Sequence, residues 1–152
     1  MADGAVRARD PASPQIGRGA RWRLRAIALG AGVLAMAALP PVHAIPLLIP
    51  AFVLLVWLLD RDTSGWRTFG AGFWFGCGFH IAGLYWLAWP LTLDIARFGW
   101  MIPFAVFGIS GGLAILTGLA TWAVHRTRAR GVARILFLAV AWTAAEWLRG
   151  HV

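Results

Sequence analysis

The sequence predicts an all-α protein, a polytopic transmembrane helical bundle of about five membrane segments with its N-terminus in the cytoplasm. Hydrophobic residues make up 60% of the 152 residues and charged residues only 13%. A soluble domain carries about a quarter charged residues. The apolar residues also form long blocks, whereas the helices and strands of soluble proteins repeat them at intervals. Such blocks are typical of membrane spans.

The chain divides into a polar tail and a transmembrane domain. Residues 1–20 are small and polar and contain Pro and Gly, which favours a disordered cytoplasmic tail. Residues 21–152 form the predicted transmembrane domain. Its segments are predicted at 22–39, 45–59, 68–89, 101–124 and 132–152. The second segment is short for a hydrocarbon core of about 30 Å, so whether it spans fully stays open.

The arginines determine the predicted orientation. All 14 basic residues are arginine. With the N-terminus in the cytoplasm, every arginine except Arg97 and Arg149 falls on the inner side, as the positive-inside rule requires. The same arginines lie between apolar blocks, so no nucleic acid partner is predicted despite the basic pI. A secretory signal ending near Val42-His43-Ala44 is the alternative for the start, and whether residues 1–44 are cleaved stays open.

One face of the third segment combines small residues with a histidine. Gly72, Gly76, His80 and Gly83 fall within about 80° of one another on a helix. Such glycines let neighbouring helices approach closely, or they leave a groove for a lipid chain. His80 is an ionisable group near the membrane centre, which makes it a functional candidate; the alternative is a neutral imidazole bonded to a neighbouring helix. No metal-ligand spacing accompanies it, and neither metal nor cofactor is predicted.

The single cysteine and one charged pair complete the candidates. Cys77 lies in the middle of an apolar segment, where a thiolate would be desolvated, and no His–carboxylate pair adjoins it, which favours a structural role. Glu146 and Arg149 are three residues apart and can pair on one helix face. Charges are costly in lipid, so this face is predicted to meet protein, water or a phospholipid headgroup.

From about residue 22 onward the chain resembles the apolipoprotein N-acyltransferases. The resemblance rests on a hairpin through residues 39–41 (Leu-Pro-Pro), on the stretch Gly83–Trp86 and on the stretch Glu146–Gly150. It implies a transferase of lipoprotein biosynthesis in the bacterial inner membrane. Such an enzyme moves an acyl chain from phospholipid to the N-terminal S-diacylglyceryl-cysteine of an apolipoprotein. It uses a cysteine thioester, a glutamate base and a lysine in a nitrilase-like domain on the outer side.

The chain departs from that family pattern. It contains no lysine and no nitrilase-like region, and Cys77 belongs to the helical part. No catalytic residue is therefore predicted here, and the chain alone is expected to be inactive. Two other classes stay open. One is a small polytopic transporter component, although no repeated halves are visible; the other is a non-catalytic membrane scaffold.

Overall fold

The structure is a computed structural model that describes residues 18–40, 42–61 and 64–151, and every regular element in these ranges is helical. The all-α prediction is confirmed. The predicted tail, residues 1–20, lies outside the described residues except for 18–20, which belong to the first helix. The helices are α1 (Arg18–Met36), α2 (Leu48–Arg61), α3 (Gly65–Leu84), α4 (Ala88–Thr92), α5 (Ile95–Phe98), α6 (Met101–Pro103), α7 (Ile109–Arg126) and α8 (Val132–Arg149).

Helices α6 and α7 belong to one continuous helix, Met101–Arg126, joined by a π-helical turn at Phe104–Gly108. Its 26 residues have a mean hydropathy of 1.9, and it is the one helix among the described residues that is long and apolar enough to cross a membrane. Arginines in α1 and α8, and glycines in α3, lower the hydropathy of those helices. The count of five spans therefore stays a prediction.

Helix α3 is the centre of the bundle and packs between α1 and α7. Gly32 of α1 lies against Phe75, and Met36 lies against Gly83, so α1 and α3 run in parallel. Gly72 lies against Thr121 and Gly76 against Ala114, so α3 and α7 run in opposite directions. Arg134 at the start of α8 pairs with Asp60 at the end of α2, and Trp142 further along α8 contacts Phe79 of α3, so α3 and α8 end on the same side of the bundle.

Glycines allow the helices to approach α3 on two sides. A Cβ added to Gly78 would lie 2.0 Å from the carbonyl oxygen of Leu29 in α1. On the other side, a Cβ added to Gly72 would lie 2.1 Å from Oγ1 of Thr121 in α7. Both distances are far below van der Waals contact, so only glycine fits these crossings.

The core joins all the long helices. It contains Ala31, Ala35, Ala51, Leu55, Leu59, Phe75, Val124 and Leu138. Many large apolar side chains point outward instead; Trp66 is 81% exposed and Leu93 is 82% exposed. Exposed apolar surface on this scale marks contact with a membrane or a partner.

The predicted third segment, 68–89, differs from the structure at its end. Helix α3 ends at Leu84, a 3₁₀ turn follows at Tyr85–Leu87, and α4 begins at Ala88. Pro90 has no N–H, and its ring would clash with the carbonyl four residues earlier in a continuous helix. In the first turn of α4, the missing N–H costs no hydrogen bond. The chain therefore turns before Pro90 rather than at it.

Candidate functional site

The predicted charged pair is formed at the end of α8. Nη2 of Arg149 lies 2.6 Å from Oε2 of Glu146, and the two side chains are 42% and 33% exposed, respectively. An ion pair one turn apart and open to solvent contributes only about 0.5 kcal/mol to stability. The pair therefore contributes little to the stability of α8.

His80 lies buried on α3 near this pair and is only 4% exposed. Its ring meets that of Phe79 edge-on, with 5.3 Å between centroids. The preceding residue, Phe79, contacts Trp142 of α8 with 5.7 Å between ring centroids. The fold therefore places three of the residues that the sequence singled out toward the same end of the bundle.

An aromatic cluster fixes the position of α8 against α2 and α3. The indole of Trp142 contacts Phe52, Phe75 and Phe79 at centroid distances of 5.4, 5.8 and 5.7 Å, each close to perpendicular. Edge-to-face pairs of this kind contribute about 0.5–1.5 kcal/mol each beyond their burial. Arg149 follows Trp142 by about two helical turns and lies on the same face. The cluster thereby sets where the guanidinium emerges.

The predicted glycines divide between two neighbours. Gly72 and Gly76 lie against Thr117 and Thr121 of α7, which leaves no room there for an acyl chain. A Cβ on Gly83 would instead lie 3.1 Å from Sδ of Met36 in α1. All three residues therefore take part in helix packing.

Cys77 is buried in α3 and is 8% exposed. Within the described part of the chain, no group of three or more His, Cys, Asp or Glu residues could hold a metal ion. The geometry around Cys77 offers a packed thiol rather than an accessible nucleophile.

A polar cluster that was not predicted from the sequence lies at the opposite end of the bundle. The buried hydroxyl of Thr121 donates to the backbone carbonyl oxygen of Gly118 at 2.9 Å. It also lies 3.1 Å from the backbone carbonyl oxygen of Thr68. Arg134 of α8 pairs with Asp60 at the end of α2. The signal in the sequence was the placement of Asp60 and Arg134 at segment ends on the same predicted side.

Comparisons with known proteins agree with the resemblance. The family described as the apolipoprotein N-acyltransferase N-terminal domain matches residues 31–152. The apolipoprotein N-acyltransferase of Rhodopseudomonas palustris is 38% identical over 136 residues, which are 86% of this chain and 25% of that protein. Those of Allorhizobium ampelinum and Caulobacter vibrioides are 37% and 38% identical over 88% and 86% of this chain.

The chain spans about a quarter of the length of the curated relatives it matches. No solved structure matches it. The family match extends from within α1 to the end of the chain and includes His80, Glu146 and Arg149. The chain therefore belongs to the apolipoprotein N-acyltransferase family and corresponds to its N-terminal domain.

Proposed function

We propose that this chain is the membrane part of an apolipoprotein N-acyltransferase of the bacterial inner membrane. The whole enzyme transfers an acyl chain from phospholipid to the N-terminal S-diacylglyceryl-cysteine of lipoproteins, and these helices hold its catalytic domain at the lipid surface. The observation that carries the proposal is the family match over residues 31–152.

The proposed topology is five segments with the N-terminus in the cytoplasm. The helix directions support it, since α1 and α3 are parallel and α7 is antiparallel to α3. A chain threaded back and forth through a bilayer alternates in this way. The outward-facing apolar side chains also support it, because lipid would cover them. In this topology Arg149 and His80 lie toward the outer side, where the acceptor lipoprotein is modified.

The role proposed for Arg149 is to bind the phosphate of a phospholipid at that outer end. A guanidinium can form two parallel hydrogen bonds with a phosphate. Glu146, at 2.6 Å, orients the guanidinium when no lipid is bound. The solvent exposure of the pair supports this role, because the Arg149 side chain is accessible to a phosphate and the pair contributes little to stability.

The chain alone is proposed to be inactive. The sequence has no lysine, and its cysteine is packed inside α3. The family's catalytic set contains a cysteine nucleophile and a lysine, and we infer that this chain supplies neither.

A chimera tests the proposal. Residues 31–152 would replace the corresponding N-terminal quarter of the Rhodopseudomonas palustris enzyme in a bacterium depleted of its own N-acyltransferase. Mass spectrometry of lipoprotein N-terminal peptides measures the third acyl chain. We expect acylation by the chimera and none by the chain alone. A chimera that is present at normal abundance but inactive would contradict the proposal and favour a scaffold.

A further inference from the structure

A group of arginines lies at the opposite end of the bundle from Arg149. A recess of about 250 Å³ opens between the beginnings of α1 and α3. We call it the α1–α3 recess. It is lined by Arg21, Arg25 and Arg67 together with Trp66, Trp74 and Leu58.

The arginines of the recess are not neutralised by the described residues. The ion pairs in the described ranges use Arg134 and Arg149, and none of the described residues that line the recess is a carboxylate. Arg25 instead lies over the rings of Trp22 and Trp74, at 5.3 and 5.9 Å from their centroids. Three like charges around one cavity repel one another, so an anion bound there would lower the energy of the bundle.

The walls of the recess are apolar. Its indoles and Leu58 present apolar surface beside the guanidinium groups, and Trp66 is 81% exposed. A free phosphate would use the arginines alone and leave this surface in water. A phospholipid would use both, with its phosphate on the arginines and its glycerol and first methylenes on the indoles. Basic pockets between membrane helices on the cytoplasmic side bind anionic headgroups in this manner.

We propose that the α1–α3 recess binds an anionic phospholipid of the inner leaflet, held by its phosphate group. This lipid is separate from the acyl donor, because the recess and Arg149 lie at opposite ends of the bundle. The proposal requires that the chain lies in a membrane, but it does not require acyl transfer. Failure of the chimera above would therefore leave it standing.

The α7–α8 turn supplies a matched control on the same side. Arg126, Arg128 and Arg130 line a wider recess of about 980 Å³ there. That recess also contains the Asp60–Arg134 pair, and no tryptophan lines it. Removal of three arginines from either place changes the net charge equally. Arg126 lies over the ring of Trp122, 5.2 Å from its centroid, but that indole does not line the wider recess. A specific lipid site at the α1–α3 recess therefore predicts different results for the two variants.

Native mass spectrometry of the purified chain tests the proposal. The probes are phosphatidylglycerol, phosphatidylcholine with the same acyl chains, and inorganic phosphate. We expect retention of phosphatidylglycerol over phosphatidylcholine, because both carry the phosphate but the three guanidinium groups repel the quaternary ammonium of phosphatidylcholine. We expect the R21Q/R25Q/R67Q variant to lose about a hundredfold in retention and the R126Q/R128Q/R130Q variant to lose less than about twofold. Should the first variant lose helicity by circular dichroism, R67Q alone is measured, with a loss of about fivefold expected.

Three results would overturn the proposal. The first is an equal loss of phosphatidylglycerol in the two triple variants, which would indicate general attraction between charges. The second is equal retention of phosphatidylcholine, which would remove the need for an anionic headgroup. The third is full displacement of the lipid by an equal concentration of inorganic phosphate, which would assign the recess to a free anion.

Discussion

The crossing of α1 and α3 makes the sharpest prediction about stability, through Gly32→Ala. The new Cβ would lie 2.0 Å from the carbonyl oxygen of Phe75 and 2.7 Å from the backbone nitrogen of Phe79. Ordinary contact begins at about 3.5 Å, so the helices would have to separate by about 1.5 Å. Backbone atoms cannot rotate away as a side chain can. The contacts of Ala31 and Ala35, both buried in the core, would loosen as well.

The magnitude follows from two opposing effects. Overpacking costs about 1–3 kcal/mol, and the backbone clash puts Gly32→Ala at the upper end. The better helix propensity of alanine returns about 1 kcal/mol. The expected net loss is about 2 kcal/mol, or roughly 4–8 °C in Tm for a chain of this size.

Gly30→Ala is the matched control, two residues away in the same helix. Nothing lies within 4 Å of its Cβ position, so only the gain in helix propensity applies and Tm should stay equal or rise. Thermal unfolding in detergent, followed by tryptophan fluorescence, measures both variants. A Gly32→Ala variant as stable as the parent chain, or an equal fall in both variants, would refute the close crossing.

Three further predictions concern polar groups. Asp60→Asn should cost about 1–2 kcal/mol of stability, because Arg134 is only 11% exposed and loses its carboxylate partner. Asp60→Glu keeps the charge and should cost less, so equal Tm values for the two variants would contradict the ion pair. Ser110→Ala should raise Tm, since the buried Ser110 hydroxyl lacks a hydrogen-bond partner among the described residues. Thr121→Val should lower Tm, because it removes a hydrogen-bonded hydroxyl. A lower Tm for Ser110→Ala than for Thr121→Val would count against this hydrogen bonding. Glu146→Ala and Arg149→Ala in the chimera should each abolish acylation. Protein abundance should stay normal, since the exposed pair contributes little to stability. Full activity in both variants would exclude a functional role.

The sequence was sufficient to predict the helical class, because the apolar blocks and the arginines between them are features of whole segments rather than of single residues. It was less informative about segment ends. Pro90 lies in the first turn of a new helix, and a run of apolar letters does not reveal where the preceding helix must turn. Hydropathy is also a poor guide to α3, whose glycines serve packing while lowering the mean.

Helical periodicity placed Gly72, Gly76 and Gly83 on one face, but they contact two different helices. A helical wheel gives the angle of a residue and not the position along the axis where one neighbour ends and another begins. The Asp60–Arg134 pair was missed for a similar reason. The two residues come from separate segments, and their rotation about the helix axes is decided by packing of the core.

The central claim is a back-and-forth membrane topology that keeps every arginine except Arg97 and Arg149 on the cytoplasmic side. Cysteine labelling in spheroplasts tests it most directly. Asp94→Cys and Arg130→Cys would each be placed in a Cys77→Ala background, which removes the single native cysteine. Both positions are exposed in the structure. With a membrane-impermeant maleimide, position 94 should react in intact spheroplasts and position 130 only after permeabilisation. Reaction of position 130 in intact spheroplasts, or protection of position 94, would contradict the account.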